Sequence, residues 1–224
     1  MTWRIFQTDA RNRYLEKMSE SDAKRWAYFL SVEETDAYLC DLNRVCDLRP
    51  GLKILDVGAG TGIFTKVLLS IDGLDISVLE PNPRMLSHLR NQLDSLGVQI
   101  VKGFCDGEDD RGHFAPNLFD VIASRQVVNE LYNPLVAFQN WLHWLRPGGR
   151  VVMIDGLFTR DSWAGPLQEE VDTLPLAANQ SMALVPYLLE FVGFKVLSVD
   201  MMSKVNGIPN CRFDRFVVVA EKPA

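Results

Sequence analysis

Cysteine, histidine and unbroken apolar runs are all scarce in this chain of 224 residues. Its four cysteines, Cys40, Cys46, Cys105 and Cys211, form no CxxC pair and no zinc-ligand spacing, which argues against a disulfide scaffold or a structural zinc site. They are expected to be reduced and mostly buried, and no metal is indicated. No window approaches the roughly 18 unbroken apolar residues that a membrane helix requires. The first residues, MTWRIFQTDARNR, lack the apolar core of a secretory signal. No membrane partner and a cytoplasmic location are therefore expected. Positive charge is in deficit, with 23 Lys and Arg against 29 Asp and Glu, net −6, so DNA or RNA is not an expected partner. Only residues 1–30 run the other way, with six basic against four acidic side chains. Linkers, fixed-period repeats and low-complexity tracts are missing too. With 47% hydrophobic and 23% charged residues, the chain reads as one globular domain over 1–224.

What is present is alternation. Residues 1–50 read as a helical cap: Asp22 is expected to cap the run AKRWAYFL, and a helix from Thr35 to Leu48 would place Leu39, Leu42, Val45 and Cys46 on one face. From residue 51 to 224 short apolar runs alternate with helical stretches. The runs are 53–58, 75–80, 98–103, 119–124, 150–155, 194–201 and 216–222; helices are expected around 62–70, 83–96, 134–145 and 184–192. Strands separated by helices imply parallel pairing through right-handed crossovers, with helices on both faces. The last two runs are joined by SKVNGIPNCRFDR, which carries Gly and Pro but no helical period, so the final strand is expected to be antiparallel. Residues 157–185 are too long for a simple connection and are expected to cover a ligand pocket, with Trp163 in its wall.

The first run ends in Asp56-Val57-Gly58-Ala59-Gly60-Thr61-Gly62. Glycines permit positive φ and let a ligand approach the backbone, and the helix that follows offers free N–H groups. The spacing is G-x-G-x-G, whereas the dinucleotide fingerprint G-x-G-x-x-G would need a small residue at Ile63. Asp56, two residues before the first glycine, suits a ligand carrying an ammonium group better than a pyrophosphate. An acid at the end of the second run, Glu80, stands where a ribose anchor is expected.

On these residues the chain resembles the class I S-adenosylmethionine-dependent methyltransferases, whose first motif is similar to D-x-G-x-G-x-G. The resemblance extends over about residues 50–222 and includes Phe104-Cys105-Asp106-Gly107 after the third run and Leu145-Arg146-Pro147-Gly148-Gly149 before the fifth. It implies an α/β, Rossmann-like seven-stranded sheet, mostly parallel with an antiparallel last strand, and S-adenosylmethionine as cofactor. It also implies that Gly58, Ala59, Gly60, Thr61 and Gly62 cradle the cofactor and that Glu80 and Pro81 meet its ribose. Met85 would pack on adenine, while Cys105, Asp106 and Gly107 would read its edge through Asp106. Ser124 and Arg125 would flank the methionine end, and Tyr14 of a lid would touch it. The neighbouring Glu108, Asp109 and Asp110 read as a solvated run.

Subtype motifs are absent. After the fourth run stands Ser124-Arg125-Gln126-Val127 rather than an N/D-P-P-Y motif, a Pro-Cys nucleophile is missing, and the magnesium-binding Asp of catechol-type enzymes is replaced by Ser124. The expected reaction is methyl transfer to an N, O or C nucleophile of a small molecule, such as a secondary metabolite, with Gln126 and Asn129 facing the acceptor. Asp155 is the candidate general base. The rival readings are an NAD(P)-dependent oxidoreductase, for which no Tyr-x-x-x-Lys set is found, and a non-catalytic nucleoside-binding partner subunit. Arg11 and Arg13 in the basic N-terminal region are expected to lie near a carboxylate of cofactor or substrate.

Overall fold

The computed structural model describes residues 3–93, 96–163, 168, 171–209, 211 and 213–224, with side chains from Gln7 onward. Seven strands, β1 (Lys53–Val57), β2 (Asp75–Glu80), β3 (Gln99–Lys102), β4 (Phe119–Arg125), β5 (Leu145–Gly156), β6 (Lys195–Met201) and β7 (Arg215–Glu221), form one sheet in the order β3-β2-β1-β4-β5-β7-β6. Pairing is parallel from β3 through β5, and β7 lies antiparallel between β5 and β6. The expected seven strands, parallel but for an antiparallel last one, are the observed ones. One strand starts early: β5 opens at Leu145, opposite Phe119, and its ladder resumes with Arg150 opposite Val121. The intervening Arg146–Gly149 turn is a bulge inside the strand, with Gly148 at φ +73 supplying the left-handed residue.

Because side chains alternate along a strand, the sheet buries both faces. Leu55, Val57, Ile122, Val151, Met153 and Val218 pack on one side with Phe138 and Trp141 of α6 (Pro134–Trp144) and Leu189 of α7 (Leu184–Val192). Ile54, Val78, Ala123, Val152, Ile154 and Val217 pack on the other. They meet α3 (Val32–Val45) through Tyr38 and Leu42, α4 (Ile63–Leu69) through Phe64 and Leu68, and α5 (Pro83–Leu93) through Leu89. The β6–β7 connection contains one helical turn, α8 (Ser203–Asn206), whose first amides, Lys204 and Val205 N–H, donate to the buried Asp41 carboxylate of α3 at 2.9 and 3.0 Å.

The N-terminal 50 residues form α1 (Trp3–Lys17), α2 (Glu20–Trp26) and α3. Asp22 is not the cap of α2. Ser19 is, and Asp22 sits at the third helical position, where its carboxylate answers Ser19 N–H in a reciprocal capping box. Ser31 and Glu34 repeat the device at α3, so that helix starts earlier than its apolar spacing suggests and leaves Cys46 extended beyond its end. No helix of the described residues is long and apolar enough to cross a membrane.

Trp141 is fully buried at the centre of the first face. Trp141→Ala is expected to cost about 3–5 kcal/mol, read as a fall in the urea midpoint at unchanged slope.

Candidate cofactor and acceptor site

The chain leaves β1 for β2 and β3 on one side and returns to β4 on the other, so the strand order reverses between β1 and β4. Open α/β sheets bind ligands at that point, outside the carboxyl ends of the strands. Two turns meet there. Gly58, at φ +67, lies so close to the turn after β4 that a Cβ on it would stand 2.4 Å from Val127 Cγ2. Gly60, at φ +57, has nothing within 4 Å of where a Cβ would project, so the loop's ligand-facing side is open there. Gly62, also left-handed, starts α4. Ala59 N–H is spent on Leu79 O, and the buried Thr61 hydroxyl donates to Trp26 O at 2.7 Å, fastening the end of α2 over the loop.

Four carboxylates converge on the same edge. Glu80 accepts Gly60 N–H at 2.9 Å and Asn82 N–H at 2.8 Å. Asp56 accepts the Thr65 hydroxyl at 2.6 Å through Oδ2, while its buried Oδ1 has no partner. Ser124 Oγ and Asn129 Oδ1 are likewise buried and unpartnered. Burial pushes the carboxyls of Asp56, Glu80 and Asp155 up to about 7. Burial, then the facing charges of Glu80 and Asp155, lifts Glu130 to about 8. Tyr14 sits against this group: burial, followed by Glu80 and Glu130, holds its hydroxyl well above the usual phenol range. Tyr14 also packs with Met18, Ala23 and Met85 and stands edge-on to Phe104, so α1 and α2 lie over the expected adenine wall. Pro81, half-buried, follows Glu80 into α5.

The loop after β3 departs from expectation. Asp106 gives Oδ1 to Arg11 and Oδ2 to the N–H groups of Tyr132 (2.8 Å) and Asn133 (3.2 Å). Asp110 is not solvated: it pairs with Arg11 at 2.6 Å and accepts Gly107 N–H at 2.7 Å. Asn140 of α6 donates to Cys105 O and Gly107 O. Arg11, in the cap's basic region, thus meets acids of this chain. Arg125 turns its guanidinium toward α3, where Nε donates to Tyr38 Oη at 2.8 Å. Gln126, at φ +56, spends its N–H on Ile154 O, which fixes the β4 exit.

Asp155, the candidate base, has both oxygens engaged, Oδ1 with Gly156 N–H at 2.7 Å and Oδ2 with Asn129 N–H at 3.1 Å. That arrangement clamps the end of β5 to the turn after β4. Trp163 donates Nε1–H to Ala177 O at 2.8 Å and packs on Phe158 and the Ala10–Tyr132–Leu174 cluster, joining the 157–185 segment to α1. Residues 164–167, 169 and 170 of that segment lie outside the described residues. Sequence reasoning gave no weight to Tyr38 or Arg215 and little to Glu130. Glu130 carried a local signal as the acid in the turn after β4, whereas Tyr38 and Arg215 carried none. Among the described residues no group of His, Cys, Asp and Glu is arranged to hold a metal.

The family profile described as "Methyltransferase domain" matches residues 55–153, from β1 into β5. That stretch, a little under half of the chain, is similar to a methyltransferase domain. Phosphoethanolamine N-methyltransferase 1 of Arabidopsis thaliana is 31% identical over 129 residues, 55% of this chain and 24% of that protein. Ubiquinone/menaquinone biosynthesis C-methyltransferase UbiE of Burkholderia multivorans is 32% identical over 111 residues, 49% of this chain and 45% of that protein. The chain therefore spans less than half the length of these relatives. Among solved structures, a SAM-dependent methyltransferase from Aquifex aeolicus superposes with TM-score 0.66 at 21% identity, covering 91% of this chain and 98% of that one. Phosphoethanolamine N-methyltransferase 2 of Haemonchus contortus, solved with phosphomonomethylethanolamine and S-adenosylhomocysteine, gives 0.69 at 18% identity over 96% and 60%. At these identities the two structures establish the methyltransferase fold.

A carboxyl whose folded pKa is raised holds its proton more tightly when folded. Unfolding then releases protons, and stability falls as pH rises from the unfolded value near 4.5 through the folded value of about 8 for Glu130. Glu130→Gln removes this liability. Relative to the parent, its thermal midpoint without ligand is expected to gain at least about 2 °C between pH 5 and pH 8, measured by differential scanning fluorimetry.

Proposed function

We propose that this chain transfers a methyl group from S-adenosylmethionine to an N, O or C nucleophile of a small molecule. The observation that carries the reading is the Glu80 carboxylate 2.9 Å from Gly60 N. In a dinucleotide enzyme the amides of this loop face a pyrophosphate. Here one of them is given to a carboxylate, with Asp56 and Asp155 buried and Glu130 half-buried nearby, and a diphosphate would meet like charge. A ligand carrying ammonium and sulfonium cations meets the opposite and relieves the buried acids. This favours S-adenosylmethionine over NAD(P). The names of the relatives, an N-methyltransferase and a C-methyltransferase of small molecules, support the acceptor class.

S-adenosylmethionine, when bound, supplies a methyl group already activated on sulfur, so the protein's main task is to hold donor and acceptor in line. Glu80 remains the ribose anchor, since each of its oxygens has lone pairs beyond the amide it accepts. The open face over Gly60 admits the ligand backbone-close. Asp56 Oδ1, Ser124 Oγ and Asn129 Oδ1, unpartnered in their buried positions, suit the ammonium end. Tyr14 and Met85 wall the adenine, while Asp106, engaged on both oxygens, shapes the pocket from behind. Asp155 positions the β4 turn, and Glu130, whose carboxyl is pushed up to about 8, holds its proton at neutral pH until a cationic ligand draws its pKa down.

In calorimetry S-adenosylhomocysteine is expected to bind at least about tenfold more tightly than NAD, a difference of about 1.4 kcal/mol. Gly60→Val, β-branched at a left-handed position, should abolish most of that binding. Equal affinity for the two ligands, or unchanged binding by the variant, would overturn the reading. Incubating a cell extract with labelled S-adenosylmethionine and the protein, with mass detection of methylated products, identifies the acceptor.

A further inference from the structure

A cavity of about 80 Å³ opens between α3, the segment before it, and the β4 and β7 ends on the ligand edge; Tyr28, Leu30, Tyr38, Arg125, Cys211 and Arg215 line it. Its two arginines converge by the logic of the sheet. Along β4, Val121 and Ala123 point to the α3 face, so Arg125 does too; along β7, Val217 and Val219 share that face with Arg215. Since β7 runs antiparallel, its first residue lies at the same edge as the last residue of β4. Only β5 separates them, which sets the two strands about 10 Å apart.

Neither guanidinium forms an ion pair among the described residues, whereas Arg11, Arg44, Arg146, Arg150 and Arg160 all do. Arg125 donates Nε–H to Tyr38 Oη, and Arg215 reaches Cys211 Sγ at 3.5 Å while its buried Nε has no partner. Glu34 also borders the cavity, but its Oε2 accepts Ser31 N–H at 2.8 Å as the cap of α3. The acids nearest them, Glu34 in the lining and Asp56 and Asp155 at longer range, make no ion-pair contact with them, so two half-buried guanidinium groups and two tyrosines face one small cavity. The space, enough for a few water-sized groups, matches one small oxyanion.

We infer that this cavity seats the anionic head group, phosphoryl or carboxylate, of the methyl acceptor, with Arg125 and Arg215 as its cationic contacts and the Tyr28 and Tyr38 hydroxyls beside them. The inference rests on the methyltransferase reading for the word acceptor, and on the cavity alone for the anion. The cofactor's own carboxylate is the weaker occupant. Glu80, at the end of β2, fixes the ribose on one side of β1, and Arg215 lies three strands away on the other. Two guanidinium groups also exceed the charge of a single carboxylate.

Inorganic phosphate and acetate, titrated calorimetrically into the full chain with and without saturating S-adenosylhomocysteine, test this. Saturable binding of either anion to both forms is expected, the tighter one naming the head group. Arg215→Gln should weaken it at least about tenfold and leave S-adenosylhomocysteine binding within about threefold. Arg215→Lys, which keeps the charge and loses the fork, should recover part of it and guards against a folding defect. Anion binding that disappears once S-adenosylhomocysteine is bound would assign the cavity to the cofactor and overturn the inference. So would absence of anion binding, or a Gln variant that binds as the parent does. Failure of S-adenosylhomocysteine to bind would instead sink the methyltransferase reading, leaving the anion titration of the free protein readable by itself.

Discussion

The hydrogen bond from Gly60 to the Glu80 carboxylate is the interaction on which the rest of the ligand edge depends. It crosses from the loop after β1 to the end of β2, fixing the two elements that start the crevice. It also sets the sign of the site. A carboxylate that has taken a loop amide denies it to a phosphate, and two buried acids and one half-buried acid nearby make negative ligands costly. The glycine turn alone is shared chemistry; its partner makes it selective.

Closure of the site follows from a second electrostatic match. Part of the small basic excess of residues 1–30 is spent inside the molecule, although Lys17, Lys24 and Arg25 are exposed. Arg11 bridges Asp106 and Asp110, Gln7 donates to Asp106 O, and Ala10 O accepts the Tyr132 hydroxyl. One helix is thereby held to the loop after β3 and to the turn after β4 together. Asp110, in an acidic run that reads as solvated, joins Asp106 as the socket of the cap, because a helix from the other end of the sequence brings its counter-charge, while Glu108 and Asp109 stay exposed.

Most of the fold was legible because strand and helix periods differ and because glycine and proline punctuate them. β2, β4, β6 and β7 fall within a residue or so of the apolar runs, and α4, α5, α6 and α7 within a few residues of the helical ones. The failures were local. Asp22 and Ser19 are both plausible caps, and only the backbone turn chooses between them. The early start of β5 depends on Leu145 finding Phe119, a partner its own sequence does not show.

The sequence by itself determined the strands, their mostly parallel sense with an antiparallel last strand, the glycine loop and the acid that answers it, because each is written in spacing along the chain. The tertiary structure decided which charged groups are spoken for. Asp106 and Asp155, legible as functional acids, turn out to hold backbone amides, while Arg125, expected at the methionine end of the cofactor, and Arg215, unremarked in the sequence, share one cavity with no acid of the described residues in ion-pair contact. Pairing and burial are properties of neighbours in space. No spacing rule carries them, since strands three or more elements apart come to lie side by side only when the sheet is complete.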